Sequence, residues 1–82
     1  MDSDQIKSMI EAGMPDAQVQ VEGDGSHFQA LVICDSFAGK NMVQQHQMVY
    51  QTLGDAMKEA IHALSLRTLT PEGWEEAKKR PF

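Results

Sequence analysis

The chain has one cysteine, Cys34, among 82 residues. That excludes an internal disulfide and leaves no cysteine pair for a structural zinc knuckle or a redox CxxC, so a reducing compartment is expected. No apolar run approaches the roughly 18 residues that a membrane-spanning helix requires. The opening MDSDQIK is acidic where a secretion signal would be basic. These features lead us to expect a soluble cytoplasmic protein with no membrane partner. Bases are few, seven Lys and Arg against twelve Asp and Glu. Residues 1–35 carry seven carboxylates against Lys7, a net −6, and residues 36–82 carry six bases and five acids, a net +1. Nucleic-acid binding draws most of its affinity from concentrated Lys/Arg that neutralise phosphates, so this balance disfavours it. The one tight basic cluster is Lys78, Lys79 and Arg80.

A third glycine is also missing where one would matter. In VEGDGSHF, Gly23, Asp24 and Gly25 begin like a dinucleotide fingerprint, but position 28 is Phe and a strand pattern follows instead of a helix. The stretch therefore reads as a tight turn with a histidine, His27, at its tip. One small domain over residues 1–82 is expected, at a size where a single core gives only a few kcal/mol of net stability. The last five or so residues are expected to be flexible.

Asp2 or Ser3 can cap a first helix, with Gln5 as the reciprocal cap and Ile6, Met9 and Ile10 at helical spacing. Gly13 and Pro15 end it. Ala17, Val19 and Val21 alternate with Gln18, Gln20 and Glu22, the pattern of a half-buried strand. After the GDGS turn, FQALVIC is apolar on both faces, which suits the central strand of a sheet. Beyond the loop DSFAGKN, a stripe of Met42, His46, Val49, Leu53, Ala56 and Ala60 predicts one helix over about 42–60, with Gly54 marking close packing or a kink. HALSLRTL is a third strand, with His62, Leu64, Leu66 and Thr68 on one face. Thr70-Pro71-Glu72 then starts a helix carrying Trp74, which is expected to staple it to the sheet. The order α-β-β-α-β-α defines an α+β fold, helices packed on a three-stranded sheet.

GDGSHF, the SFAGK loop followed by QQHQMVYQTL, and IHALSLRTLTPEGW together resemble the BolA family, specifically its acid-stress IbaG-like (YrbA) branch, over about residues 17–76. The resemblance implies a fold like a class II K-homology domain without the GxxG loop, and Phe37-Ala38-Gly39-Lys40 indeed has one glycine. It further implies a heterodimer with a monothiol glutaredoxin bearing a CGFS motif and a shared labile [2Fe-2S] cluster. A cysteine and a glutathione thiol come from the glutaredoxin side, and His62, with His27 from the turn, would be this chain's metal ligands. No cofactor is expected in the isolated protein, and that protein is expected to be a monomer or a weak homodimer. Without the resemblance, an exposed turn histidine needs no role, and His62 reads as a partly buried histidine bonded to a backbone carbonyl. Imidazole is nevertheless a competent ligand, since mixed histidine and cysteine ligation is an alternative to four cysteines.

His46 is read as packing on the long helix beside Met42, Val43 and Tyr50, and Cys34 as a small buried hydrophobe. Met9, Met42 and Met57 fit core stripes. No catalytic set emerges: Cys34 lacks a basic neighbour, and no acid is placed to orient His27 for Ser26, so an enzyme is not expected. A rival reading is a nucleic-acid-binding transcriptional regulator using Lys40, Arg67, Lys78, Lys79 and Arg80. A third is a protein-interaction module that needs no metal.

Overall fold

The computed structural model describes residues 2–59 and 63–79. Helix α1 (Ser3–Gly13) starts with a capping box: Asp2 accepts from the Gln5 amide and the Gln5 side chain accepts from that of Asp2. It buries Ile6 and Ile10 completely. Strands β1 (Gln18–Gly23) and β2 (His27–Ile33) form an antiparallel hairpin, and β3 (Ala63–Leu69) lies parallel to β2 on its other side. The sheet order is β1-β2-β3, so β2 is central, as its two apolar faces predict.

One face of the sheet presents Val19, Phe28, Ala30 and Val32, which join Ile6 and Ile10 of α1 and Val49 and Leu53 of α2 (Met42–Leu53) in the core. Cys34 is buried in this cluster just past the end of β2, where its amide donates to the Leu69 carbonyl. A short 3-10 turn (Asp35–Phe37) drops Phe37 into the same core. The last helix, α4 (Pro71–Lys78), starts on Thr70, whose hydroxyl accepts from the Gly73 amide. Trp74 shares a groove with Gln20, Gln29, Leu31 and Arg67, residues of the sheet's other face. The staple expected of Trp74 is therefore formed on the face opposite α1 and α2.

Two expectations are corrected. The long helix is not continuous over 42–60: α2 ends at Leu53, and Gly54 adopts φ 54° and ψ −133°, followed by the single turn α3 (Ala56–Glu59). A glycine takes this region at little cost because it has no Cβ, and a side chain there would meet open space, so backbone conformation and not close packing calls for glycine. Met42 is not in the core stripe, since it is 69% exposed and its neighbour Val43 is 65% exposed. They lie on the outward side of the first turn of α2, whose Gln45 faces Thr68 of β3. His62 and the cation Arg80 lie outside the described residues.

Candidate functional site

His27 is the first residue of β2, one position further into the strand than a turn tip, and is exposed as expected. Its position is set by Asp24. The Asp24 carboxylate accepts from the backbone amides of Ser26 and His27, both at 2.9 Å, while the Asp24 amide donates to the His27 carbonyl at 3.2 Å. Gly25 takes φ 98° between them, a left-handed conformation natural to glycine. The imidazole then borders a shallow depression with Glu22, Gly23, Asp24 and Gln29. Asp24 thus orients the backbone and not the ring, so no acid-histidine-serine relay exists at Ser26 and His27.

The amides of His27 and then Ser26 hold the Asp24 carboxyl below its ordinary value, with a smaller contribution from the His27 charge. A carboxyl depressed by folding stabilises the folded turn above its unfolded pKa, and that contribution is lost as pH falls through the folded value. The Ser26 and His27 amide resonances should therefore move together on acidification, with a midpoint below about 3.9. Asp24→Asn should abolish the transition. A midpoint at or above the ordinary value would show that the charge does not support the turn.

The register of the parallel pair fixes what lies opposite the histidine. His27 pairs with Ala63, and Phe28 with Leu64. Position 62 is thus the chain neighbour of the residue that faces His27. The other titratable candidates are elsewhere. Cys34 is buried at the far end of β2, about 23 Å along a strand from His27. His46 is half-buried on α2, edge-on to Tyr50 with ring centroids 6.4 Å apart, and packs there as expected.

The four described candidate cations, Lys40, Arg67, Lys78 and Lys79, are not gathered on one element. Lys40 is in the loop before α2, at the end of the sheet away from His27. Arg67 is exposed in the middle of β3, in the groove beside Trp74. Lys78 reaches the same indole, 5.6 Å from the ring centroid, and pairs with Glu75 at 3.0 Å. Lys79 caps the end of α4. Arg67 and Lys78 therefore share Trp74 as a neighbour.

One residue with a structural role was missed. Gln45 uses its whole amide: the NH₂ donates to the carbonyls of Phe37 at 3.2 Å and Lys40 at 2.9 Å, and its oxygen accepts from the Thr68 hydroxyl at 2.7 Å. It ties the Phe37–Lys40 loop to α2 and β3 at once. A signal nearby was readable, because Asn41-x-x-Gln44 is the same kind of reciprocal cap as Asp2-x-x-Gln5, and it forms here.

A mixed three-stranded sheet with two helices on one face, a crossover between parallel strands and a histidine at the turn end of the hairpin defines a small α+β module of BolA type. A family model described as BolA-like protein matches residues 5–73, and the chain belongs to that family. It is 34% identical to the acid stress protein IbaG of Escherichia coli K12 over 80 residues, covering 96% of this chain and 95% of that protein. A bolA protein homologue from Coxiella burnetii has the same fold, with a TM-score of 0.84 and 43% identity over 92% of this chain and 97% of that one. The DNA-binding transcriptional regulator BolA of Escherichia coli K12 is 38% identical over 53 residues, 65% of this chain and 50% of that protein. These relatives are named as stress protein and regulator and not as enzymes. No described helix is long and apolar enough to cross a membrane.

Proposed function

We propose that this chain is a non-enzymatic, cytoplasmic accessory protein of iron-sulfur handling and the stress response. It pairs with a monothiol CGFS glutaredoxin and contributes His62 and His27 to a shared [2Fe-2S] cluster. The observation that carries this reading is the pairing of His27 with Ala63. His62 is the residue before Ala63 in the chain, and an exposed imidazole at the start of β2 beside that point suits a metal centre shared with a partner. His27 is exposed on a backbone fixed by Asp24, so its ring is presented without reorganising the chain.

The donor set also fits a shared cluster better than one this chain owns. Among the described residues, no three His, Cys, Asp or Glu side chains come together to hold a metal ion. Imidazole and thiolate ligation by two proteins supplies the remainder. Replacing a thiolate with a neutral ring removes negative charge from the cluster and raises its potential, which favours transfer or sensing over storage.

The purified chain, mixed with a CGFS glutaredoxin, glutathione and iron, should give a heterodimer whose visible spectrum differs from that of the glutaredoxin homodimer. His62→Ala should remove the difference and shorten cluster lifetime at least about tenfold. His27→Ala should have a smaller effect of the same kind. An unchanged spectrum and lifetime in His62→Ala would refute the ligand role.

The likeness to the DNA-binding transcriptional regulator BolA favours a second reading, DNA binding through Lys40, Arg67, Lys78, Lys79 and Arg80. Of the described cations only Arg67 and Lys78 are shown to share a neighbour, Trp74, and Lys78 is already paired with Glu75. A titration at two salt concentrations separates the readings: a steep salt slope would support phosphate contacts, and no affinity at low salt would remove them.

A further inference from the structure

The solvent face of α2 is unusual for a protein of net charge −5. From Asn41 to Gly54 there is no Asp, Glu, Lys or Arg. Val43 is 65% exposed and Tyr50 37%, and with the exposed Gln47 they fall at i, i+4 and i+7 on one outward stripe, with Met42, 69% exposed, beside it. Apolar and aromatic residues with charges depleted are the composition of an interface centre and not of an ordinary solvated helix.

The flanks carry the further information. The first ionised residue before the neutral stretch is Lys40, and the first after it is Asp55, both exposed. A surface positive at one end, neutral in the middle and negative at the other matches an antiparallel copy of itself. From this pattern we propose that α2 is a homotypic contact surface on which two copies of this chain pair about a two-fold axis, helix against antiparallel helix. Val43 then faces the partner's Tyr50, and Lys40 lies by the partner's Asp55, each contact occurring twice as an isologous interface requires. Glutamine suits the axis, since its amide both donates and accepts and can satisfy its own counterpart across a two-fold. Residues 1–35, with their net −6, would meet like charge in any self-contact.

The contact is small. Twelve residues make a helix about 18 Å long, so the buried area falls below the roughly 1,200 Å² of stable complexes. Association is weak, with a dissociation constant on the order of 0.1–1 mM. It uses neither His27 nor His62 and stands whether or not a cluster is bound.

Amide NMR spectra of the whole chain over a concentration series test it. Shifts that depend on concentration should concentrate in residues 42–51. Val43→Glu, at an exposed position, should remove them. Lys40→Glu should weaken association roughly five- to tenfold, by turning two attractive charge pairs repulsive. Adding Asp55→Lys to that variant should restore it, which only a contact between positions 40 and 55 of two copies explains. Spectra unchanged up to about 1 mM, shifts that map to β1 or β3, or a Val43→Glu chain that still associates would overturn the proposal.

Discussion

Gly23→Ala is expected to lower the unfolding free energy by about 3 kcal/mol, the upper end of what overpacking costs. A Cβ at this position would run into the Phe28 ring edge, and would stand 2.5 Å from the His27 carbonyl oxygen and 3.0 Å from the Phe28 Cα. Neither neighbour can yield cheaply. Phe28 is 2% exposed and fills the core beneath the sheet, and the His27 carbonyl is held by the Asp24 amide. Gly23 is registered directly against Phe28, so relief requires the last rung of the hairpin to open. On a total stability of about 5–15 kcal/mol this is a large loss. Urea unfolding should show a lowered midpoint with an unchanged slope. Gly25→Ala is the control: its φ of 98° strains alanine, but nothing stands within 4 Å of the added carbon, so only the left-handed penalty of about 1–2 kcal/mol applies. Equal costs at the two positions would show that the Phe28 contact is not what demands glycine at 23. Opening that rung also moves His27, so under the proposed ligand role Gly23→Ala should shorten cluster lifetime even in molecules that stay folded.

What could be read without coordinates was local or two-sided. The GDGS turn, the alternation of β1, the Asp2 and Thr70 caps and the central place of β2 each rest on a few contiguous residues, and each appears in the fold. The end of α2 was hidden because the apolar period runs on through Gly54: Ala56 and Met57 are half-buried, so the stripe continues across a break in the backbone. Periodicity reports which side faces the core and not whether the chain between is helical. It is equally silent on strand direction. The parallel pairing of β2 and β3, which sets His27 opposite Ala63, is a property of the crossover and of no residue in either strand. The exposure of Met42 and Val43 was hidden for a third reason, since an apolar side chain on a helix does not by itself say that it faces the core.

The candidate site divides along the same line. The exposure of His27 followed from its turn, whereas the two amides that fix it on Asp24 need the turn's geometry to be seen. The cations were grouped by charge alone, and the fold puts the Lys40 loop beside Thr68 on the helix-covered side while Arg67 lies on the Trp74 side of the sheet.

Gln45→Glu should be more damaging than its near-identical shape suggests. One carboxylate oxygen can still accept from Thr68, but the other replaces an NH₂ that donates to two carbonyl oxygens. Two hydrogen bonds are lost, both carbonyls lose a donor, and a negative charge faces two negative dipole ends in a half-buried position. The Phe37 carbonyl keeps the Lys40 amide as a donor and the Lys40 carbonyl is at the surface, so the cost is that of two lost hydrogen bonds and a half-buried charge against two carbonyls, about 2–4 kcal/mol at neutral pH. Gln45→Leu loses all three bonds, the one from Thr68 included, without adding charge and should cost about 2 kcal/mol. The two variants separate by pH. Two facing carbonyls and partial burial raise the carboxyl pKa at position 45 in the folded chain above its unfolded value. The penalty is therefore full above the folded pKa and relieved below the unfolded one, where the protonated acid again donates to one carbonyl. Gln45→Glu should gain stability relative to Gln45→Leu between neutral pH and about pH 4, as followed by thermal melts at each pH. A constant difference between the two across that range would mean that the loop moves away from the charge, and that Gln45 does not hold Phe37 to Lys40 against β3.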